Sequence, residues 1–124
     1  MRILIIEDNY DAARTLQLLL RLYGHEVRVA GGGRAGLAAA RDWHPDVLLC
    51  DLGLPELDGF QIASALRQDP TTADIRMIAI TGYGRPEDRR RSGEAGFELH
   101  LTKPVDPTLL QRLLADGDGV LAGR

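Results

Sequence analysis

Five side chains in this 124-residue sequence stand where chemistry would need them: Glu7, Asp8, Asp51, Thr81 and Lys103. Ile3-Leu4-Ile5-Ile6 leads into Glu7-Asp8, Val47-Leu48-Leu49-Cys50 into Asp51, Met77-Ile78-Ala79-Ile80 into Thr81, and the run from Glu98 to Leu101 into the turn Thr102-Lys103-Pro104. Any one of these alone is a strand ending in something polar. Three carboxylates, a hydroxyl and an amine at one edge are harder to assemble by accident. Crowded carboxylates repel, so such a site raises their pKa values or recruits a cation. Magnesium suits a site with few carboxylates that leaves positions to water and phosphate; calcium fits less well, since no EF-hand spacing is present. A carboxylate can also attack a phosphoryl group and form an acyl phosphate. That transfer calls for positioning and charge neutralisation more than for acid-base chemistry. In this scheme Asp51 is the nucleophile, and Asp8 and Asp51 hold Mg²⁺ with Glu7 behind them. Lys103 brings a mobile positive charge to the other side, and the Thr81 hydroxyl donates to a third oxygen.

The elements that must position these residues alternate along the chain. Short apolar, β-branched runs read as strands buried on both faces, and longer stretches have helical period. The spacing predicts strands at 3–6, 26–30, 47–50, 77–80 and 98–101. It predicts helices at about 12–23, 34–42, 60–68, 86–95 and 107–115. Asn9 or Asp11 is placed to cap the first helix and Gly24 to stop it. Ala12, Ala13, Leu16, Leu19, Leu20 and Tyr23 are its expected inward face. Ala35, Leu37, Ala38 and Ala39 are that of the second helix, Ile62, Ala63 and Leu66 of the third, and Leu109, Leu110, Leu113 and Leu114 of the fifth. Pro86 sits well in a first turn. Five strands alternating with five helices predict an α/β fold: a flavodoxin-like, doubly wound parallel sheet of order 2-1-3-4-5. Ligands in such sheets bind at the carboxyl ends of the strands, where these polar residues stand.

Composition narrows the function classes. With 44% hydrophobic and 27% charged residues the chain reads as an ordinary globular domain. One cysteine, Cys50, excludes a disulfide framework and a cysteine-rich zinc site. No apolar run approaches the roughly 20 residues that span a bilayer, and no signal peptide opens the sequence. The expectation is a soluble, cytoplasmic protein with no membrane insertion. A net charge of −3 gives no general pull towards nucleic acid. The domain is expected to run from 1 to 115, with a frayed tail over 116–124.

Taken together, Ile3-Leu4-Ile5-Ile6-Glu7-Asp8, Asp51-Leu52-Gly53-Leu54-Pro55 with Asp58-Gly59, Ile80-Thr81-Gly82 and Lys103-Pro104 resemble the receiver domain of two-component response regulators. The likeness covers nearly the whole chain, in order and spacing. Thr81-Gly82-Tyr83-Gly84 and the run from Gly96 to Leu101 resemble chemotaxis-type receivers or those attached to hybrid sensor kinases. The resemblance implies that Asp51 accepts a phosphoryl group from a histidine kinase or phosphotransfer protein. It implies Mg²⁺ bound by Asp8, Asp51 and the backbone carbonyl of Gly53, with Glu7 contributing through water. Thr81 and Lys103 match the phosphate-sensing pair. Phosphorylation would then reshape a surface formed by the last two helices and the strand between them, the expected docking face for an effector or for a second copy in a weak homodimer. A frequent aromatic three positions before the lysine is replaced by His100, whose swing would depend on pH. Gly53, two past Asp51, offers no side chain to guide water, and Tyr83, two past Thr81, is placed to shield a phosphate. Met1 directly before the first strand favours a native start, in a stand-alone receiver or one cut from a longer protein.

The alternative from another class is a Mg²⁺-dependent phosphohydrolase with an aspartyl nucleophile. Such enzymes place a second Asp two residues on, where Gly53 stands, so turnover of outside substrates is not expected. A flavin-binding domain would need a Ser/Thr-rich phosphate loop after the first strand. Cys50 should face away from Asp51 as a core thiol, and Trp43 reads as helix-end cover. Arg89-Arg90-Arg91 reads as a solvated helical face rather than a direct nucleic-acid patch. His25 and His44 should be exposed. Gly31-Gly32-Gly33 lacks phosphate-loop spacing, and Asp58-Gly59 looks like a turn needing a glycine backbone angle.

Overall fold

The computed structural model describes residues 1–82 and 86–115, the side chains of 86–89 excepted. The expected tail over 116–124 and the expected role of Tyr83 lie outside the described residues. In chain order the elements are β1 (Arg2–Ile6), α1 (Tyr10–Leu22), β2 (Glu26–Ala30), α2 (Gly33–Trp43) and β3 (Val47–Asp51). They continue with α3 (Gly59–Gln68), β4 (Arg76–Thr81), α4 (Pro86–Ala95), β5 (Leu99–Thr102) and α5 (Pro107–Ala115). All neighbouring strands pair in parallel, in the order β2-β1-β3-β4-β5. Strand order reverses between β1 and β3, which opens the crevice where the polar strand ends meet.

Side-chain alternation along each strand splits the core in two. Ile3, Ile5, Val47, Leu49, Ile78 and Ile80 pack with Ala13 and Leu20 of α1 and with Leu110 and Leu114 of α5. Leu4, Ile6, Leu48, Cys50, Met77 and Ala79 pack on the other face with α2 and α3. Central strands covered on both faces carry no polar side chain until their ends, which is why the sequence reads as unbroken apolar runs there.

Local signals account for the helix starts. Asn9 caps α1 by accepting from the Ala12 N–H at 3.1 Å. Asp58 and Gln61 form a reciprocal capping box that starts α3 directly after the loop following Asp51.

Several expected inward faces are corrected. In α2 the buried residues are Gly33, Gly36, Ala40 and Trp43, while Ala35 and Ala38 are exposed. A Cβ on Gly36 would fall 2.7 Å from Cγ1 of Ile6, so close approach to β1, not small size alone, chooses that face. In α1 Ala12 and Tyr23 are exposed and the polar Gln17 is buried. Gln17 is tolerated because its amide donates to the Val27 carbonyl at 3.0 Å. Leu109 is also exposed, at 43%. His25 is half-buried, with Nε2 2.6 Å from Oε1 of Gln111 on α5; His44 is exposed as expected. Trp43 is buried, with the guanidinium carbons of Arg28 and Arg2 4.4 and 5.5 Å from its ring centre.

Candidate functional site

Each polar strand end is delivered by its strand to the same edge. Glu7 follows β1 and its N–H donates to the Ala30 carbonyl at 3.1 Å. Asp51 is the last residue of β3 and Thr81 the last of β4, and both are buried. Lys103 follows β5, its N–H donating to the Thr81 carbonyl at 2.7 Å. The chain turns there through a cis Lys103-Pro104 peptide.

Short backbone bonds hold the carboxylates. Asp51 Oδ1 accepts from the Gly53 N–H at 2.9 Å, and Glu7 Oε1 from the Asn9 N–H at 3.2 Å. One oxygen from each of Glu7, Asp8 and Asp51 lies within 4.8 Å of the others, the only such metal-competent group among the described residues. Glu7 and Asp51 are buried and Asp8 is exposed, so the group is open to water on one side.

Lys103 lies closer to these carboxylates than the sequence scheme supposed. Nζ is 3.2 and 3.1 Å from the two Glu7 oxygens and 3.2 Å from Asp51 Oδ2. Glu7 is in a direct ion pair with Lys103 here, as two buried carboxylates side by side need a cation. Burial raises the Glu7 pKa above its ordinary value, and neighbouring Asp51 adds to this while Lys103 opposes it. Burial works against the charge on Lys103, but hydrogen bonds to Glu7 and Asp51 outweigh it and raise its pKa. Lys103 is therefore an ammonium at neutral pH, suited to hold charge rather than to donate a proton.

Thr81 joins the group through the backbone, one strand over from Asp51 and opposite Thr102 of β5 in register. Gly53 is exposed at the rim. His100 sits earlier on β5, half-buried and opposite Ala79. Leu99 and Leu101 pack on the α1 and α5 side, so alternation directs His100 to the other face. Cys50 lies in the core on the α2 and α3 side, and burial, with Asp51 next in influence, raises its thiol pKa far above the ordinary range.

Two supports escaped the sequence reading. Gly59 does not have a left-handed φ; a Cβ there would meet the Asp51 carbonyl at 2.9 Å and Leu52 Cδ2 at 2.8 Å. Its role is to let α3 start against the Asp51 backbone, and only the sharp Asp58-Gly59 pair hinted at it. Gly33 likewise lies against the Leu57 carbonyl, where a side chain would press on the loop after β3.

Such an arrangement can bring a nucleophilic carboxylate, a fixed ammonium and a hydroxyl to one phosphoryl group. An external-substrate phosphohydrolase finds no support, because the position two residues past Asp51 is the side-chain-free Gly53. Among the described residues no helix is long and apolar enough to cross a membrane.

Residues 3–115 match the family model of the response regulator receiver domain. Protein PilH of Pseudomonas aeruginosa is 37% identical over 122 residues, covering 98% of both chains. The DNA-binding dual master transcriptional regulator RpaA of Synechocystis is 37% identical over 105 residues, covering 85% of this chain but 44% of that protein. Among solved structures, Vibrio cholerae chemotaxis protein CheY4 superposes with a TM-score of 0.87 at 26% identity, covering 93% of this chain and 96% of that one. With the strand order and the acidic crevice, these likenesses show that the chain belongs to the response regulator receiver domains, the phosphorylation-dependent signalling domains of two-component systems.

Proposed function

We propose that Asp51 is the phosphoryl acceptor of this receiver and that residues 1–115 make up the switching domain. The observation that carries the reading is the Asp51 carboxylate at the end of β3, 3.2 Å from the Lys103 ammonium and grouped with the carboxylates of Glu7 and Asp8. Receiver domains work with histidine kinases and downstream effectors. The donor here is a phosphohistidine on a kinase or phosphotransfer protein. An Asp51 oxygen attacks phosphorus, the P–N bond breaks, the imidazole leaves with its electron pair, and an acyl phosphate remains on Asp51.

Hard oxygen donors on a half-open cleft fit Mg²⁺, which Asp8, Asp51 and the Gly53 carbonyl would hold, with Glu7 contributing through water. Bound there it supplies neutralising charge to the phosphoryl oxygens. The chain's own residues do the rest. Lys103 turns its ammonium from the carboxylates towards one phosphoryl oxygen, and the Thr81 hydroxyl donates to another. Because the Lys103 N–H is bonded to the Thr81 carbonyl, movement at the carboxyl ends of β4 and β5 is shared. His100 responds with them, and the surface of α4, β5 and α5 changes its affinity for an effector or for a second copy. The protein acts in the cytoplasm as a switch and does not turn over outside substrates.

The test is incubation with Mg²⁺ and acetyl phosphate, followed by intact-mass measurement. The expected result is a mass gain of one phosphoryl group on the wild type and none on Asp51→Asn. No gain on the wild type, or an undiminished gain on the variant, overturns the assignment.

A further inference from the structure

α4 is the helix with the least to bury. From Pro86 to Ala95 its sequence has no Leu, Ile, Val, Met or aromatic residue. By contrast α1 buries Leu20, α3 buries Ile62 and Leu66, and α5 buries Leu110 and Leu114. Among the described side chains of α4, Ser92 is buried and Ala95 packs partly buried against the core. Helices in proteins are held mainly by their buried apolar face, so α4 sits at the low-stability end of this molecule.

A specific contact ties it to α3. The guanidinium carbon of Arg91 lies 4.0 Å from the centre of the Phe60 ring. Arg90 and Arg91 are exposed, in keeping with a solvated face, and Arg91 adds a directed cation–ring contact to it. The Phe60 ring is anchored against the core from the α3 side. Phe60 also follows Gly59, which rests on the Asp51 carbonyl and on Leu52. A short physical path therefore runs from the backbone of Asp51 through Gly59 and Phe60 to Arg91 on α4.

We propose that the Arg91–Phe60 stack is a catch that fixes α4 against α3 and that phosphorylation of Asp51 must release. This rests on Asp51 as acceptor and on α4 as part of the responding surface. The catch sets the ease of switching: α4 carries no large apolar side chain, so the stacked cation is a directed contact that ties it to α3. A chain without the stack shifts α4 more readily and, by linkage, binds a phosphoryl mimic more tightly.

The experiment compares wild type, Arg91→Met, Phe60→Leu and the double variant. Hydrogen exchange is read at the amides of Arg91 to Ala95, and affinity is read for beryllofluoride with Mg²⁺. Each single variant should speed α4 exchange by about two- to fivefold, the range of a partly exposed cation–π contact. The double variant should go no further than the singles, and beryllofluoride affinity should rise by about the same factor. Unchanged α4 exchange, a double variant whose effects multiply, or unchanged beryllofluoride affinity overturns the catch. A wild type that neither binds beryllofluoride nor gains a phosphoryl group overturns the acceptor reading instead, and the exchange data still decide whether the stack holds α4.

Discussion

Replacing Lys103 by methionine should strengthen Mg²⁺ binding while weakening phosphorylation, two effects of opposite sign from one substitution. The ammonium stands 3.1 to 3.2 Å from oxygens of Glu7 and Asp51, two of the carboxylates that an incoming ion would use. A unit charge at that distance is worth about 1.3 kcal/mol in water and about 5 kcal/mol at an effective dielectric constant near 20. The Lys103 side chain is 36% exposed, which draws the value well towards the lower figure. Taking about 1.5–2 kcal/mol as the competition that Lys103 exerts, its loss tightens Mg²⁺ binding by about 10- to 30-fold. Methionine keeps an apolar stem of similar length, so packing beside β5 is largely preserved. The binding arm is a calorimetric Mg²⁺ titration at pH 7 and fixed ionic strength. The phosphorylation arm is the initial rate with acetyl phosphate at saturating Mg²⁺, expected to fall by about 100-fold or more for the loss of one preorganised charge on the phosphoryl oxygens. An Mg²⁺ affinity that is unchanged or weaker in the variant would refute the reasoning, because the ammonium would then not be competing for those oxygens.

Arg67→Met removes the guanidinium that donates to the carbonyls of Ala73, Ile75 and Gly96, tying the end of α3 to the approaches of β4 and β5. A loss of about 2–4 kcal/mol in urea denaturation is expected, since the carbonyls keep only part of their satisfaction from water. Gly36→Ala should destabilise by about 1–2 kcal/mol, because the new Cβ presses on the fully buried Ile6. Helix propensity alone gives the opposite sign, a gain of up to about 1 kcal/mol, so a rise in the urea midpoint would reject the packing argument. Without Mg²⁺, the raised Glu7 pKa means that the folded state holds a proton which the unfolded state has released above 4.5. Its contribution is therefore full below pH 4.5 and is lost as pH rises through the folded value. Wild type minus Glu7→Gln, read as urea midpoints from pH 4 to 8 in chelator, should fall across that window; a rising difference contradicts the assigned sign.

Much of the fold could be read directly. The runs at 3–6 and 47–50 can only be strands covered on both faces, and their lengths and the helical periods between them leave few topologies. Glu7, Asp8, Asp51, Thr81 and Lys103 could be picked out because each breaks an apolar run at its carboxyl end, and the fold rule brings such ends to one edge. Less legible were features set by who stands opposite. Leu109 has the same period as Leu110 and Leu113, yet α5 turns it outward. Gly59 carried a turn signal, but its reason is the Asp51 carbonyl, a neighbour that no local pattern names.

The amino-acid order by itself determined the alternation of elements, the parallel sheet and which side chains arrive at the crevice, because hydrophobic period and turn chemistry are local properties of the chain. Only the tertiary structure decided how those side chains pair. Lys103 meets Glu7 across 96 residues and Asp51 across 52, and Arg91 meets Phe60 on another helix. Such contacts depend on strand order, register and helix seating, which follow from burying the whole core at once rather than from any single segment.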